Sequence, residues 1–168
     1  TRSDCDYGVL RGIYGQMSTI FHQQILPQDE IWALRHYIEC VRRTLSEEDY
    51  IIAKGQMIRP YYLLGEKDTV LNIIEEKYKS LRRLGKDKEA VASFGTAIHI
   101  YTERGQIQKA QKMLDAFERE SGLFDRNGNI VKGREGYYFT KGFFQLASND
   151  INSAEENFRK AIQFGHLS

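Results

Sequence analysis

The side chains best suited to chemistry in this 168-residue chain are four histidines, His22, His36, His99 and His166, and two cysteines, Cys5 and Cys40. His36 and Cys40 stand one helical turn apart, a spacing at which two ligands could reach one zinc ion. No companion ligand follows at a metal-type interval and no HExxH pattern occurs, so the pair reads as packing and no metal is expected. Cys5 and Cys40 would fall near the same end of a helical hairpin, at unequal distances from Pro27. A buried free thiol is the simpler reading, with a disulfide as the alternative. The stretch Phe124-Asp125-Arg126-Asn127-Gly128-Asn129-Ile130 has the outward look of a calcium loop. Its glycine comes too early, however, and Gly136 stands where the closing carboxylate belongs. Asn127-Gly128 is instead a strong hairpin signal, and a small hairpin or loop is expected over 124–133. No phosphate loop, nucleophile elbow or dinucleotide glycine pattern occurs, and no cofactor is expected. The Glu75-Glu76 and Glu155-Glu156 pairs read as solvated helix faces.

What must position these groups is helix after helix. Apolar residues recur at three- and four-residue steps along the whole chain. Only 2 prolines interrupt them, and 41% of the residues are hydrophobic, enough for a sizeable core. The expected helices are Tyr7 to about Gln24, ended by Pro27; Asp29 to Arg43; a third from the Ser46-x-x-Asp49 capping box to about Leu64, kinked at Pro60; Asp68 to Leu84; Asp87 to Arg104; Ile107 to Glu120; Glu135 to Ser148; and Ile151 to Phe164. Gly65, Gly85, Gly105, Gly122 and the Asn149-Asp150 pair supply the stops. The fold class expected is all-α, as one domain over 1–168 in four pairs, roughly 5–44, 47–84, 87–121 and 134–165. The 24 basic and 23 acidic side chains leave a net charge of +1, which argues against a nucleic-acid footprint or an anionic membrane surface. No apolar run is long enough to span a bilayer. The chain begins at Thr1, as a fragment of a larger protein would.

Internal repetition is the most specific signal. Gly105 and Ala110 are followed by Leu114 and Phe117, and Asn149 and Ala154 by Phe158 and Ala161. Ala33, Tyr37 and Cys40 repeat the spacing, and Gly65, Val70 and Ile74 do so more weakly. This resembles the tetratricopeptide repeat, in which a turn residue precedes a small residue by five and an aromatic follows it by four. Tyr138 and Gly142 fit the preceding helix of the last pair. Ala33, Val70, Ala110 and Ala154 recur at 37, 40 and 44 residues, longer than the family's repeat of about 34. Phe117 and Lys77 stand where the family has small residues. The resemblance implies a right-handed superhelical stack of about four antiparallel helix pairs. It also implies largely buried anchors at Ala110, Ala154, Phe158 and Ala161. A narrower likeness links Gly122 to Ala161, and the stretch IYGQMSTIFHQQILPQDEIWALRHY, to sensor-type tetratricopeptide regions of gut-bacterial signalling proteins. There the repeats form an extracytoplasmic or N-terminal portion, so the setting implied is periplasmic or extracytoplasmic, with the cytoplasm as the alternative.

The function this implies is a non-catalytic scaffold that holds a protein or peptide ligand, in the sensing part of a bacterial signalling or regulatory protein. The alternative is an all-helical enzyme or small-ligand binder, since catalytic groups assemble in three dimensions. In the family, the first helix of each pair lines the concave groove. Alignment on the turn residues puts His22 there in the first pair, Gln56, Arg59 and Tyr62 in the second, Thr96, His99 and Glu103 in the third, and Phe139 and Phe143 in the fourth. The mixture suits an extended peptide. It lacks the asparagine-and-lysine clamp with which chaperone-binding members hold a terminal carboxylate. An apolar stripe on the final pair is expected to lie exposed, open to self-association.

Overall fold

The computed structural model of the chain describes residues 6–165. Cys5 and His166 lie outside the described residues, and with Cys5 the disulfide alternative. Ten helical segments make up the fold, and no strand occurs among the described residues. They are α1 (Tyr7–Gln23), α2 (Pro27–Thr44), α3 (Glu47–Gly55), α4 (Ile58–Leu63), α5 (Lys67–Arg83), α6 (Asp87–Val91), α7 (Phe94–Glu103), α8 (Ile107–Glu120), α9 (Gly136–Ala147) and α10 (Ile151–Gly165). The chain is all-α, and none of these helices is long and apolar enough to cross a membrane.

The segments group into four antiparallel hairpins. In the first, Arg11 near the start of α1 donates to Thr44 at the end of α2 (2.7 Å), and Arg43 lies over the Tyr7 ring. In the second, Lys54 pairs with Glu76 and Arg83 with Glu47. The third packs α7 on α8, with Lys109 over Tyr101 beside the turn. In the fourth, Tyr138 stacks on Phe164 and Asn157 bonds Gln145.

One device turns all four. At each turn a residue takes positive φ: Ile25 (56°), Gly65 (76°), Gly105 (69°) and Asn149 (63°). Its N–H reaches back three residues and the next N–H reaches back five, as in Leu26 to Phe21 and Gln106 to Tyr101. This is the Schellman closure, which satisfies the last helical carbonyls. Glycine and asparagine take that conformation readily. Ile25 is β-branched and does not. Pro27 does not end the first helix. It opens the second, where a fixed φ and a missing N–H cost nothing.

Two first helices are interrupted. The break between α3 and α4 falls at Gln56 and Met57, upstream of the expected kink at Pro60. The reason is geometric: a proline ring displaces the carbonyl four residues before it, here that of Gln56. The break between α6 and α7 falls at Ala92 and Ser93, and no proline explains it.

The residues fall into two compact units, one up to Gly85 and one from Lys86. In the first, α2 packs on α3 and α4. Ile31, Leu34 and Met57 form its core with Tyr37, Ile38, Tyr61 and Ile73, and α5 buries Val70, Ile74 and Leu81. In the second, α9 packs on α7 and α8 around Ile98, Ala110, Leu114, Phe117, Tyr137 and Phe144. Ala110 and Ala154 are buried as expected. Phe158 and Ala161 are not: they are half-buried and line an apolar cavity of about 560 Å³ with Phe139, Ile162 and Phe164. The approach of α10 to α9 instead rests on Gly142. A methyl group there would stand 3.0 Å from two Phe158 ring carbons and 3.2 Å from the Ala154 carbonyl oxygen. Leu146, Ile151 and Ile162 stay exposed on this last hairpin.

The Asn127-Gly128 segment is a loop closed by a single antiparallel bridge between Phe124 and Ile130. The Asp125 carboxylate turns inward and accepts from the Asn127 and Asn129 backbone N–H groups at 2.8 and 2.9 Å.

Candidate functional site

In the second unit, α7 and α9 present facing rows. Thr96, His99 and Glu103 follow one another at three- and four-residue steps on α7, and Phe139 and Phe143 are one turn apart on α9. The structure brings the centre of this set together. The His99 ring lies nearly parallel to Phe139 and Phe143, with centroids 5.4 and 4.9 Å away. Its Nε2 is 3.1 Å from the hydroxyl of buried Thr140. Gly95, one turn before His99, gives Thr140 room: a Cβ there would lie 3.6 Å from that hydroxyl. Burial holds the His99 pKa below its ordinary value, and the charge of Glu103 opposes that shift only in part. His99 is therefore a neutral imidazole at pH 7. Phe139 is 52% exposed and Glu103 is exposed, whereas Thr96 and Phe143 are half-buried. The result is an aromatic shelf with one uncharged imidazole and a carboxylate at its edge. It suits an apolar or planar side chain.

In the first unit, His22, at the end of α1, and Arg59, in α4, also meet, through a residue sequence reasoning missed. Glu30 is 4% exposed, and its carboxylate receives His22 Nδ1 at 2.8 Å and Arg59 Nη1 at 3.4 Å. Arg59 Nη1 also stands 2.9 Å from His22 Nδ1. That nitrogen has one in-plane position, so it cannot donate to Glu30 and accept from Arg59 together. Donation to Glu30, with Arg59 held by the other carboxylate oxygen, satisfies all three groups. Glu30 reads in the sequence as an acid in a helix's first turn. Its phase was the usable signal, for it shares a face with buried Ala33, Leu34 and Val41. Arg59 keeps an exposed guanidinium edge able to take a carboxylate. Gln56 is exposed and Tyr62 half-buried beside it in sequence.

The other chemical candidates resolve into packing. His36 stacks on Tyr14 and meets Trp32 edge-on, both with centroids 4.8 Å away, and Cys40 is buried. Of the aromatic runs, Tyr137 and Phe144 are buried, Tyr138 is half-buried against Phe164, and Phe139 is exposed. Compared with known proteins, the chain matches no family model and no curated sequence.

Proposed function

We propose that the chain is a non-catalytic, tetratricopeptide-like scaffold that binds an extended peptide or protein segment, as the recognition part of a bacterial signalling or regulatory protein. The observation that supports this most is the shelf of His99, Phe139 and Phe143. It joins the first helices of two consecutive hairpins, it is open to solvent, and a neutral imidazole lies at its centre. Exposed aromatics on rigid helices give large contact area at low cost in side-chain entropy. In the other unit, Arg59 offers a cation whose orientation Glu30 fixes. We further propose that the four hairpins continue as one right-handed superhelix, which solution scattering would test. Selection of peptides from a random displayed library tests the binding reading. Selected peptides should bind Phe139→Ala and His99→Ala at least about tenfold more weakly, the effect of losing about 1.4 kcal/mol. Arg59→Ala should weaken those that carry a carboxylate. Peptides that bind all three variants like the parent, at unchanged melting temperature, would count against the shelf and against Arg59.

A further inference from the structure

The opposite side of α9 carries a second site. Lys141, Phe144 and Gln145 turn toward α8 there and, with Gln111, Leu114 and Glu118, line a cavity of about 420 Å³. The orientation of both glutamine amides is fixed by chemistry. Gln111 bonds the Asp115 carboxylate at 2.7 Å, and a carboxylate only accepts, so the Gln111 nitrogen is the bonded atom. Its carbonyl oxygen is left as an acceptor. Gln145 bonds Asn157 at 2.7 Å, and the same Asn157 atom lies 3.1 Å from the Ser153 backbone carbonyl. That atom must therefore be the Asn157 nitrogen, and the Gln145 group it meets must be the oxygen. The Gln145 NH₂ is left as a donor. Among the described residues, neither leftover group has a hydrogen-bond partner.

Of the charges at the cavity, Glu118 and Lys141 pair with each other, and exposed Asp150 lies at the rim, where its Oδ1 accepts from the Ser153 backbone N–H at 3.3 Å. One oxygen of Glu118 accepts from Tyr137 Oη at 2.6 Å and Lys141 Nζ at 2.7 Å. The Tyr137 hydroxyl keeps its proton, its pKa pushed up to about 12 by burial and by its hydrogen bond to Glu118. Leu114 and Phe144, both buried, give an apolar floor. The Gln111 oxygen, the Gln145 NH₂ and the apolar floor together make the complement of a secondary amide that carries an apolar group. We propose that this cavity binds the backbone amide of a peptide beside an apolar side chain, its N–H on Gln111 Oε1 and its C=O on Gln145 Nε2. The site stands on its own geometry, separate from the Phe139 shelf, so either can fail without the other.

The probe is 4-methylpentanoic acid N-methylamide, titrated into nitrogen-15-labelled protein and followed through backbone and side-chain amide resonances. A fragment of this size should bind with a dissociation constant on the order of 1–10 mM. Shifts should gather on the Gln145 and Gln111 side-chain amides and on Lys141. The N,N-dimethylamide, which has no N–H, should bind at least about fivefold more weakly, a loss of about 1 kcal/mol. Gln145→Glu, which still accepts from Asn157, should bind the probe about tenfold more weakly, and so should Gln145→Met, which only removes polar atoms. Phe139→Ala should bind it normally. Equal binding of the two amides, unchanged affinity in both Gln145 variants, or shifts scattered away from the cavity would overturn the assignment.

Discussion

Gly142→Ala tests the close approach of α10 to α9. Alanine in a helix interior is favoured over glycine by about 1 kcal/mol. At Gly142 the new methyl would meet two Phe158 ring carbons at 3.0 Å and a backbone carbonyl at 3.2 Å. The ring can shift by a few tenths of an ångström, but the carbonyl belongs to α10 and moves only with its helix. Overpacking of this kind costs about 1–3 kcal/mol, so the net change is a loss of up to about 2 kcal/mol. Gly12→Ala is the control, since Gly12 also lies inside a helix and a Cβ there has nothing within 4 Å. It should gain the full helical preference, about 1 kcal/mol. The difference between the two variants, about 1–3 kcal/mol, then isolates the contact. For a chain of this length, each kcal/mol moves the melting temperature by about 2–4 °C. Thermal melts by far-ultraviolet circular dichroism should place Gly142→Ala below the parent and Gly12→Ala above it. Phe158→Leu added to Gly142→Ala should recover part of the loss, because a flexible side chain can turn away from the methyl. If Gly142→Ala melts as high as Gly12→Ala, the two helices are not held at the distance described.

Ser46→Ala should cost about 1 kcal/mol in urea denaturation, because it breaks a reciprocal cap in which Ser46 Oγ accepts from Asp49 N–H at 3.1 Å and Asp49 accepts from Ser46 N–H at 3.2 Å. Gly105→Ala should destabilise by about 1–2 kcal/mol although its surroundings are open, since its φ of 69° strains any L side chain; a melt like that of Gly12→Ala would contradict the turn geometry. Because the pKa of His99 is lower in the folded than in the unfolded chain, the unfolded state binds more protons between the two values, and stability should fall as pH drops below about 6.5. His99→Gln should lack this part of the slope, and urea midpoints that stay parallel for parent and variant through that window would refute the burial of the imidazole.

Three of the four turns are readable because Gly65, Gly105 and Asn149 suit positive φ. The first is placed in the sequence only by Pro27, because Ile25 takes the same conformation against its own preference. Pro60 signals an irregular helix, but its effect lies one turn upstream, where the displaced carbonyl is, so the break at Gln56 is easily misplaced. The break at Ala92 leaves no mark in residue type. The His99 shelf is legible because its members sit at helical spacing on first helices that pack together. Glu30 hides among ordinary first-turn acids until its buried neighbours are counted. Phe158 was expected to be largely buried from its four-residue offset to Ala154, yet one side of its ring opens onto the cavity beside Ile162. The two cavity glutamines cannot be read from sequence at all, since what they offer depends on which amide atom Asp115 and Asn157 have already engaged.

The turns at Ile25, Gly65, Gly105 and Asn149 have a consequence for how such a chain can change over time. Each closes with backbone bonds that span six residues, so no turn needs a distant residue to complete it. Contacts made so close in sequence form fast and with little loop entropy to overcome. A gene that gains or loses one hairpin, cut at an exit such as Gly85 or Gly122, would disturb only the faces that hairpin touched. Whole pairs are thus the natural step in which this chain can lengthen or shorten, whereas a single residue inserted into one of its turns would undo the closure of the hairpin that contains it.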